Sequence, residues 1–297
     1  MRKIPIAAAA LGVLLACPAA LALSAQARPA AANALTTAEP AAAPEQPGGL
    51  RVMSYNIQHG AGLDEVFDLD RTAAAIAAEH PDLVGLEEVD EHWGDRSDDL
   101  AETSALAAKL RMHAFFAPIY DLAPTADGAP DREYGLAILS RFPILDTQNH
   151  QITRLSTVAT NPAPAAAPGF PEIAIRFGGR IVHVYATHLD YRSDPSVRAA
   201  QVSDMLGFLG HDPAPKILVG DFNADPDAPE IAPLLAGQTD VWTLLNQPHP
   251  PSWPSGTPTD RIDYITVSPG FGVRDAAVID TQSSDHRPVI ADLVLPH

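Results

Sequence analysis

A mixed α/β fold is predicted by two observations: strand-like apolar runs alternate with helically spaced segments, and a Gly-Gly pair breaks one long β-rich run into a hairpin. Residues 51–57 alternate as a strand, and 70–79 form an alanine-rich helix stopped by Pro81. Residues 82–89 make a second strand. Leu100, Leu106 and Leu110 place a helix over 97–113. Segments 134–144 and 172–189 are rich in branched and aromatic residues, and Gly178-Gly179 turns the latter back on itself. A helix over 196–209 then precedes strands over 216–223, 261–267 and 288–295. The Pro- and Ala-rich stretch 155–171 is expected to be a surface loop. No internal repeat is visible, and one mixed-sheet domain is expected over 50–297.

The chain has 297 residues, 46% of them hydrophobic and 19% charged, which suffices for a sizeable core and excludes wholesale disorder. Its formal charge of -18 repels polyanions at long range and disfavours strong non-specific binding to nucleic acid or anionic membranes. Carboxylates gathered around divalent cations also raise an acidic count.

Arg2 and Lys3 precede an apolar run over 4–23 and the small-residue site Ala25-Gln26-Ala27, the layout of a secretory signal peptide over 1–27. Residues 28–49, rich in Ala and Pro, read as a flexible tether. The expectation is therefore a secreted or periplasmic protein. Cys17 is the only cysteine, so cleavage after Ala27 leaves a domain that folds without disulfides. Leu14-Leu15-Ala16-Cys17 weakly resembles a lipoprotein box and keeps a lipid anchor open.

Several strands end in polar residues where an apolar run hands over to a loop: Asn56, Glu88, His188, and Asp221 with Asn223. Each alone could be a cap or a turn. Asp221 and Asn223 follow Ile217-Leu218-Val219 and share one face of an extended segment, an arrangement suited to a water and a phosphoryl oxygen. Ser284-Asp285-His286-Arg287 sets a carboxylate beside an imidazole before the last strand.

Taken with Asp263 in Arg261-Ile262-Asp263-Tyr264 and the segment Tyr134-Gly135-Leu136-Ala137-Ile138-Leu139-Ser140-Arg141, these motifs resemble, in order, those of the endonuclease/exonuclease/phosphatase superfamily, over residues 51–294. The resemblance implies a four-layer α/β sandwich, with two packed mixed sheets flanked by helices and the motif residues converging at one end. It implies Glu88 as the principal Mg²⁺ ligand, supported by Asn56 and Asp285. Asp221 would orient or deprotonate the attacking water, and Asn223 would hold it or a phosphate oxygen. His188 would bind the phosphate or assist the leaving group, and His286, oriented by Asp263, would stabilise the transition state. Oxygen donors suit Mg²⁺ or Mn²⁺ rather than zinc. Gln58 stands where some relatives have a carboxylate, which leaves a second metal ligand in doubt. Alternation turns Glu87 away from Glu88, toward a supporting or surface position.

The expected function is a metal-dependent phosphoesterase of diesters or monoesters on a small or lipid-headgroup substrate. A secreted nuclease is the alternative, but it calls for a Lys/Arg-lined groove with aromatic stacking, and the arginines are scattered: Arg132, Arg141, Arg192, Arg198 and Arg287. A non-catalytic binding module would be expected to lack Glu88, Asp221 or His286, and all are present. No stable protein partner is inferred. Trp93, Trp242 and Trp253 are read as core or loop anchors, and the histidines outside the motifs as surface or satisfied groups.

Overall fold

A computed structural model describes residues 49–211 and 213–295. The signal-peptide, tether and Cys17 readings fall on residues outside these, except at Gly49.

Among the described residues, twelve strands form two six-stranded sheets. The first contains β1 (Leu50–Asn56), β2 (Leu83–Glu91), β3 (His113–Leu122), β4 (Arg132–Ser140), β11 (Gly272–Val278) and β12 (Val289–Val294), in the order β11-β12-β1-β2-β4-β3. The second contains β5 (Ile144–Arg154), β6 (Ala165–Phe177), β7 (Arg180–His188), β8 (Lys216–Asp221), β9 (Thr239–Asp240) and β10 (Asp263–Val267), in the order β5-β6-β7-β8-β10-β9. Both sheets are mixed, with β1–β2 and β7–β8 parallel and the other pairs antiparallel.

Alternation explains the layering. Leu50 and Val52 of β1 meet Val184 and Ala186 of β7, Ile217 and Val219 of β8, and Ile265 and Val267 of β10 in one buried core between the sheets. Met53 and Tyr55 of β1 face the other way, onto Ile76 of α1 (Leu69–Ala78) and Leu106 of α2 (Glu102–Leu110). On the far side, Tyr185 and Leu218 pack against Val202, Met205 and Leu209 of α3 (Ser196–His211) and Leu234 of α4 (Ala232–Gly237). The result is the four-layer sandwich. Each fully buried Leu or Ile in these layers contributes about 1.5–3 kcal/mol of transfer free energy. The sheets approach so closely at Gly85 that a Cβ there would lie 2.2 Å from Val219 Cγ2.

Two sequence expectations are corrected. The helix over 97–113 is shorter, because Arg111 adopts a left-handed φ of 55° that closes α2, and β3 begins at His113. The expected loop over 155–171 becomes strand from Ala165, where Ala165, Ala166 and Ala167 pair with Arg154, Thr153 and Ile152 of β5. Strand β5 was not foreseen, being a largely polar edge strand whose pattern shows no core face.

Glu102 opens α2 fully buried, with one carboxylate oxygen accepting from the Asp90 N–H at 2.9 Å and the other without a partner among the described residues. Burial, aided by neighbouring Asp90 and Glu91, pushes its pKa up to about 9. A carboxyl with a raised folded pKa contributes stability that is fully present below its unfolded value and is lost as pH rises toward 9. Glu102→Gln is uncharged throughout, so it should gain on the natural protein across that window, by about 1–3 kcal/mol near pH 8. Thermal unfolding at pH 5, 7 and 8.5 checks this; a gap that fails to widen with pH would refute it.

Candidate active site

The site grows out of the inter-sheet core. Along β1 the inward row runs Leu50, Val52, Ser54, Asn56; along β7 it runs Val182, Val184, Ala186, His188; along β8 it runs Ile217, Val219, Asp221. In β10, Asp263 precedes inward-facing Ile265 and Val267 and pairs with Asp221 across the ladder. Asp221 also pairs with His188 in the parallel register. Each apolar row thus ends in a polar residue at the same edge of the sandwich.

Strand β2 departs from this regularity, and the departure matters. Its inward row is Leu83, Gly85, Glu87, which carries Glu87 into the sandwich as the Cα partner of Asn56. A register shift between Leu86 and Val89 follows, with Glu88 in left-handed backbone at φ 58°. The bulge lets a second consecutive glutamate reach the site. Glu88 Oε1 accepts from Asn56 Nδ2 at 3.2 Å. Glu87 is therefore no surface group: it is fully buried, and neither carboxylate oxygen has a hydrogen-bond partner among the described residues. Its burial, reinforced by the charges of Asp263 and Asp221, holds its pKa well above the usual carboxylate range.

Asp221 is the hub. Its Oδ2 accepts from Asn56 Nδ2 at 3.2 Å and lies 3.5 Å from His188 Nε2 and 3.7 Å from His286 Nε2, while Oδ1 accepts from the Asn223 N–H at 2.8 Å. Burial raises its pKa, and the nearby His286 opposes that rise. His286 Nδ1 contacts both oxygens of Asp263, at 3.0 and 3.2 Å. Burial alone would lower the His286 pKa, but Asp263, with Asp221 and Asp285 behind it, raises it to about 10. His188 is shifted downward by burial, which outweighs the attraction of Asp221. Asn223 Nδ2 donates to Leu189 O at 3.0 Å, fixing the amide after the β8 end.

Asp285 is held from several sides. Its N–H donates to Gln58 Oε1 at 3.2 Å, and its Oδ2 accepts from Trp253 Nε1 at 3.3 Å. The Ser284 hydroxyl ties this loop to Asn56 O at 2.7 Å. Trp253 is thus more than a loop anchor, whereas Trp242 is a core residue.

Eight candidate residues are brought together: Asn56, Glu88, His188, Asp221, Asn223, Asp263, Asp285 and His286. Six of them, Glu88, His188, Asp221, Asn223, Asp285 and His286, line a pocket of about 860 Å³, and Asn56 and Asp263 stand directly behind through the contacts above. Two oxygen-donor groups could hold a hard cation there. Glu88 and Asp285 are both carboxylates, and the Asp285 charge adds to the upward shift that burial imposes on Glu88. Asp221, Asp263 and His286 also offer ligand atoms within 4.8 Å of one another. The imidazole in that trio already bridges to Asp263, which neutralises it without a metal, so the Glu88–Asp285 side fits a hard cation better. Asn56, as placed, donates through Nδ2 to Glu88 and Asp221 while its Oδ1 accepts from the Gln58 N–H at 3.1 Å.

The remaining pocket wall was not foreseen. Trp93, Tyr120 and Tyr134 form an aromatic face with ring centroids 5.7–6.5 Å apart, and Arg154 lies beside His188. Tyr134 opens the motif segment 134–141 and Trp93 was expected to be a core or loop anchor, but no spacing links either to Tyr120 or Arg154, which sit on separate strands. The arginines singled out from sequence are mostly engaged elsewhere: Arg198 with Glu230, Arg141 with Asp82, Arg287 with Asp280 and Arg192 with Asp190.

Two mixed sheets that end together in an acidic, histidine-containing pocket define a hydrolase-type α/β sandwich. The chain belongs to the endonuclease/exonuclease/phosphatase family, whose sequence pattern matches residues 53–286. It is accordingly a metal-dependent phosphoester hydrolase. Among solved structures it is similar to an endonuclease/exonuclease/phosphatase from Beutenbergia cavernae DSM 12333, with 26% identity and a TM-score of 0.66 over 84% of this chain and 72% of that one. It also resembles in fold a mannosyl-6-phosphatase from Bacteroides thetaiotaomicron VPI-5482, with 19% identity, a TM-score of 0.60 and coverage of 83% and 100%. The human Nocturnin catalytic domain shares the fold at 22% identity and a TM-score of 0.58, over 83% of this chain and 93% of that one. No curated protein matches the sequence.

Proposed function

We propose that this chain is an exported, Mg²⁺- or Mn²⁺-dependent phosphoesterase that hydrolyses a small or lipid-headgroup phosphate ester by attack of an activated water. The observation that carries the reading is the pocket of about 860 Å³ into which Glu88, His188, Asp221 and His286 all open. It is of a size for a small molecule. Glu88 and Asp285 would hold the cation, with Asn56 orienting Glu88. When bound, the cation neutralises a phosphate oxygen and stabilises the charge that develops in displacement. Asp221 accepts the proton of the attacking water, positioned with help from Asn223. His286, kept protonated by Asp263, donates to the phosphoryl oxygens, and His188 serves the phosphate or the leaving oxygen.

The nuclease alternative receives little support from charge. Nineteen Lys and Arg stand against 37 Asp and Glu, and the scattered arginines named above are largely ion-paired. One experiment addresses substrate and export together. Protein is recovered from outside the cytoplasm and its intact mass measured, the expected chain starting at Arg28; a lipidated Cys17 start would instead mean a membrane anchor. That material is assayed with Mg²⁺ on a bis-aryl phosphodiester, sphingomyelin, a sugar phosphate and plasmid DNA across a salt series. A small or headgroup ester should have the highest kcat/KM. Efficient plasmid nicking that declines steeply with salt would establish the nuclease instead.

A further inference from the structure

The pocket wall has two arginines that the hydrolytic chemistry just described does not use, Arg96 and Arg154, and only Arg154 is without a carboxylate partner among the described residues. Arg154, the last residue of β5, lies under the pocket wall with Nε donating to Pro168 O at 2.9 Å, Nη2 to Gly169 O at 2.6 Å and Nη1 to His188 O at 3.3 Å. All three partners are neutral carbonyls, and no carboxylate pairs with it among the described residues. The other arginine on the wall, Arg96, is different: its Nε and Nη2 grip Asp90 at 2.8 and 2.6 Å.

A guanidinium has five N–H donors, so three carbonyls leave two of them open, one on each Nη. Leaving a cation without a counter-charge in so enclosed a place is costly, and burial draws the Arg154 pKa down to about 10, still charged at neutral pH. The backbone is shaped to seat it. Gly169 has φ 114°, and a Cβ at that position would come within 2.9 Å of Arg154 Nη2 and 2.3 Å of Ile119 Cγ1. Three carbonyls hold the plane of the fork rigidly, which is what planar recognition of an oxyanion requires.

Arg154 makes no hydrogen bond to the side chains of Asp221, His188 or His286, the groups assigned to the scissile phosphate. It bonds His188 through the backbone carbonyl at 3.3 Å, whereas the imidazole has Nε2 3.5 Å from Asp221, and the Arg154 charge adds to the downward pKa shift that burial imposes on that ring without a bond to it. Next to it stands the aromatic face, in which Tyr120 and Tyr134 stack with 22° between their planes and the Tyr120 hydroxyl is pinned by Thr157. Arg96 lies over Trp93 and Tyr134, 5.2 and 5.7 Å from the ring centroids, and the remainder of that wall would take a substrate ring while a further charge reaches Arg154.

We propose that Arg154 is a specificity-determining residue that receives a second anionic group of the substrate, so that the pocket favours ring-bearing phosphate esters carrying an additional phosphate or carboxylate. This rests on the small-molecule esterase reading above, and the test separates the two. The metal-loaded full protein is assayed on whichever ester of the panel it cleaves fastest, with glucose 1-phosphate, glucuronic acid 1-phosphate and glucose 1,6-bisphosphate as competitors. Absence of turnover on every small ester would sink the esterase reading itself. With turnover present, the two doubly anionic sugars should compete about tenfold or more better than the monophosphate, as a charge-assisted pair implies. The bisphosphate and uronate arms tell whether phosphate or carboxylate is the better guest. In Arg154→Gln that preference should collapse toward unity while turnover of the reporter ester persists, and Arg154→Lys should restore part of it. A wild-type preference near one, or an undiminished preference in both variants, overturns the proposal; equal loss for all three sugars would place Arg154 on the scissile phosphate instead. If both variants unfold, phenylglyoxal footprinting of the natural protein decides, since Arg154 should be shielded by the bisphosphate and not by the monophosphate.

Discussion

Replacing Asp221 by asparagine should lower kcat by about 10²–10⁴, the range for losing a positioned general base. The change is nearly isosteric: the amide oxygen can still accept from the Asn223 N–H, the bond from Asn56 Nδ2 is lost, and removal of a buried charge offsets that loss, so the fold should survive. What disappears is basicity. The Asp221 carboxylate is almost fully buried and its pKa is raised by that burial, which makes it a stronger base than an exposed aspartate while His286 keeps it within working range. His286→Ala should cost a similar factor by removing a charged donor, but with a second signature. It leaves Asp263, which is buried and bonds to the imidazole at 3.0 Å, without its partner. Thermal stability should therefore fall in His286→Ala and hold in Asp221→Asn. The double variant should lose much less than the product of the two, because groups acting on one phosphoryl transfer are not additive. Near-normal kcat in purified Asp221→Asn would remove it from the role of base.

The contrast between these residues and Glu87 shows what the sequence could and could not disclose. Asn56, His188 and Asp221 were legible because each continues an alternating apolar row, so the face that buries Val52, Val184 or Val219 must also point the motif residue toward the partner sheet. Asp285 and His286 were legible only through motif order, since they sit in a loop whose path no periodicity fixes. The same alternation correctly separated Glu87 from Glu88 as far as a regular strand goes, yet failed because the bulge at Glu88 inserts one residue and brings both glutamates to the same edge. A bulge has no sequence signature comparable to period two. Arg154 and the Trp93, Tyr120 and Tyr134 face were illegible for a different reason. Arg154 sits on β5, a polar edge strand read as no strand at all, and its importance lies in lacking a carboxylate, which only three-dimensional neighbours reveal.

Chelation should abolish turnover, and Glu88→Gln should lower kcat/KM by about 10² or more at fixed Mg²⁺, with part of the loss recovered at higher metal concentration. The physical case begins with crowding. Glu88, Asp221, Asp263 and Asp285 converge on one pocket edge, with Glu87 directly beneath, and several of these carboxyls are driven toward their neutral forms by burial and by one another. Such a set holds negative charge in place only if cations answer it. His286 and its bond to Asp263 answer part of it, which leaves the Glu88–Asp285 side for a hard divalent ion. Glutamine at 88 keeps the side-chain volume and a carbonyl oxygen but removes the charge, so metal affinity should fall while folding is retained or improved. Isothermal titration with Mg²⁺ and with Mn²⁺ reads that affinity without relying on activity. Glu87→Gln provides the control, since burial favours the neutral form of Glu87 and its carboxyl oxygens make no bond among the described residues; its metal affinity should change far less than that of Glu88→Gln. Equal losses of affinity in the two variants would show that both glutamates ligate the ion, and full activity in excess chelator would remove metal from the mechanism.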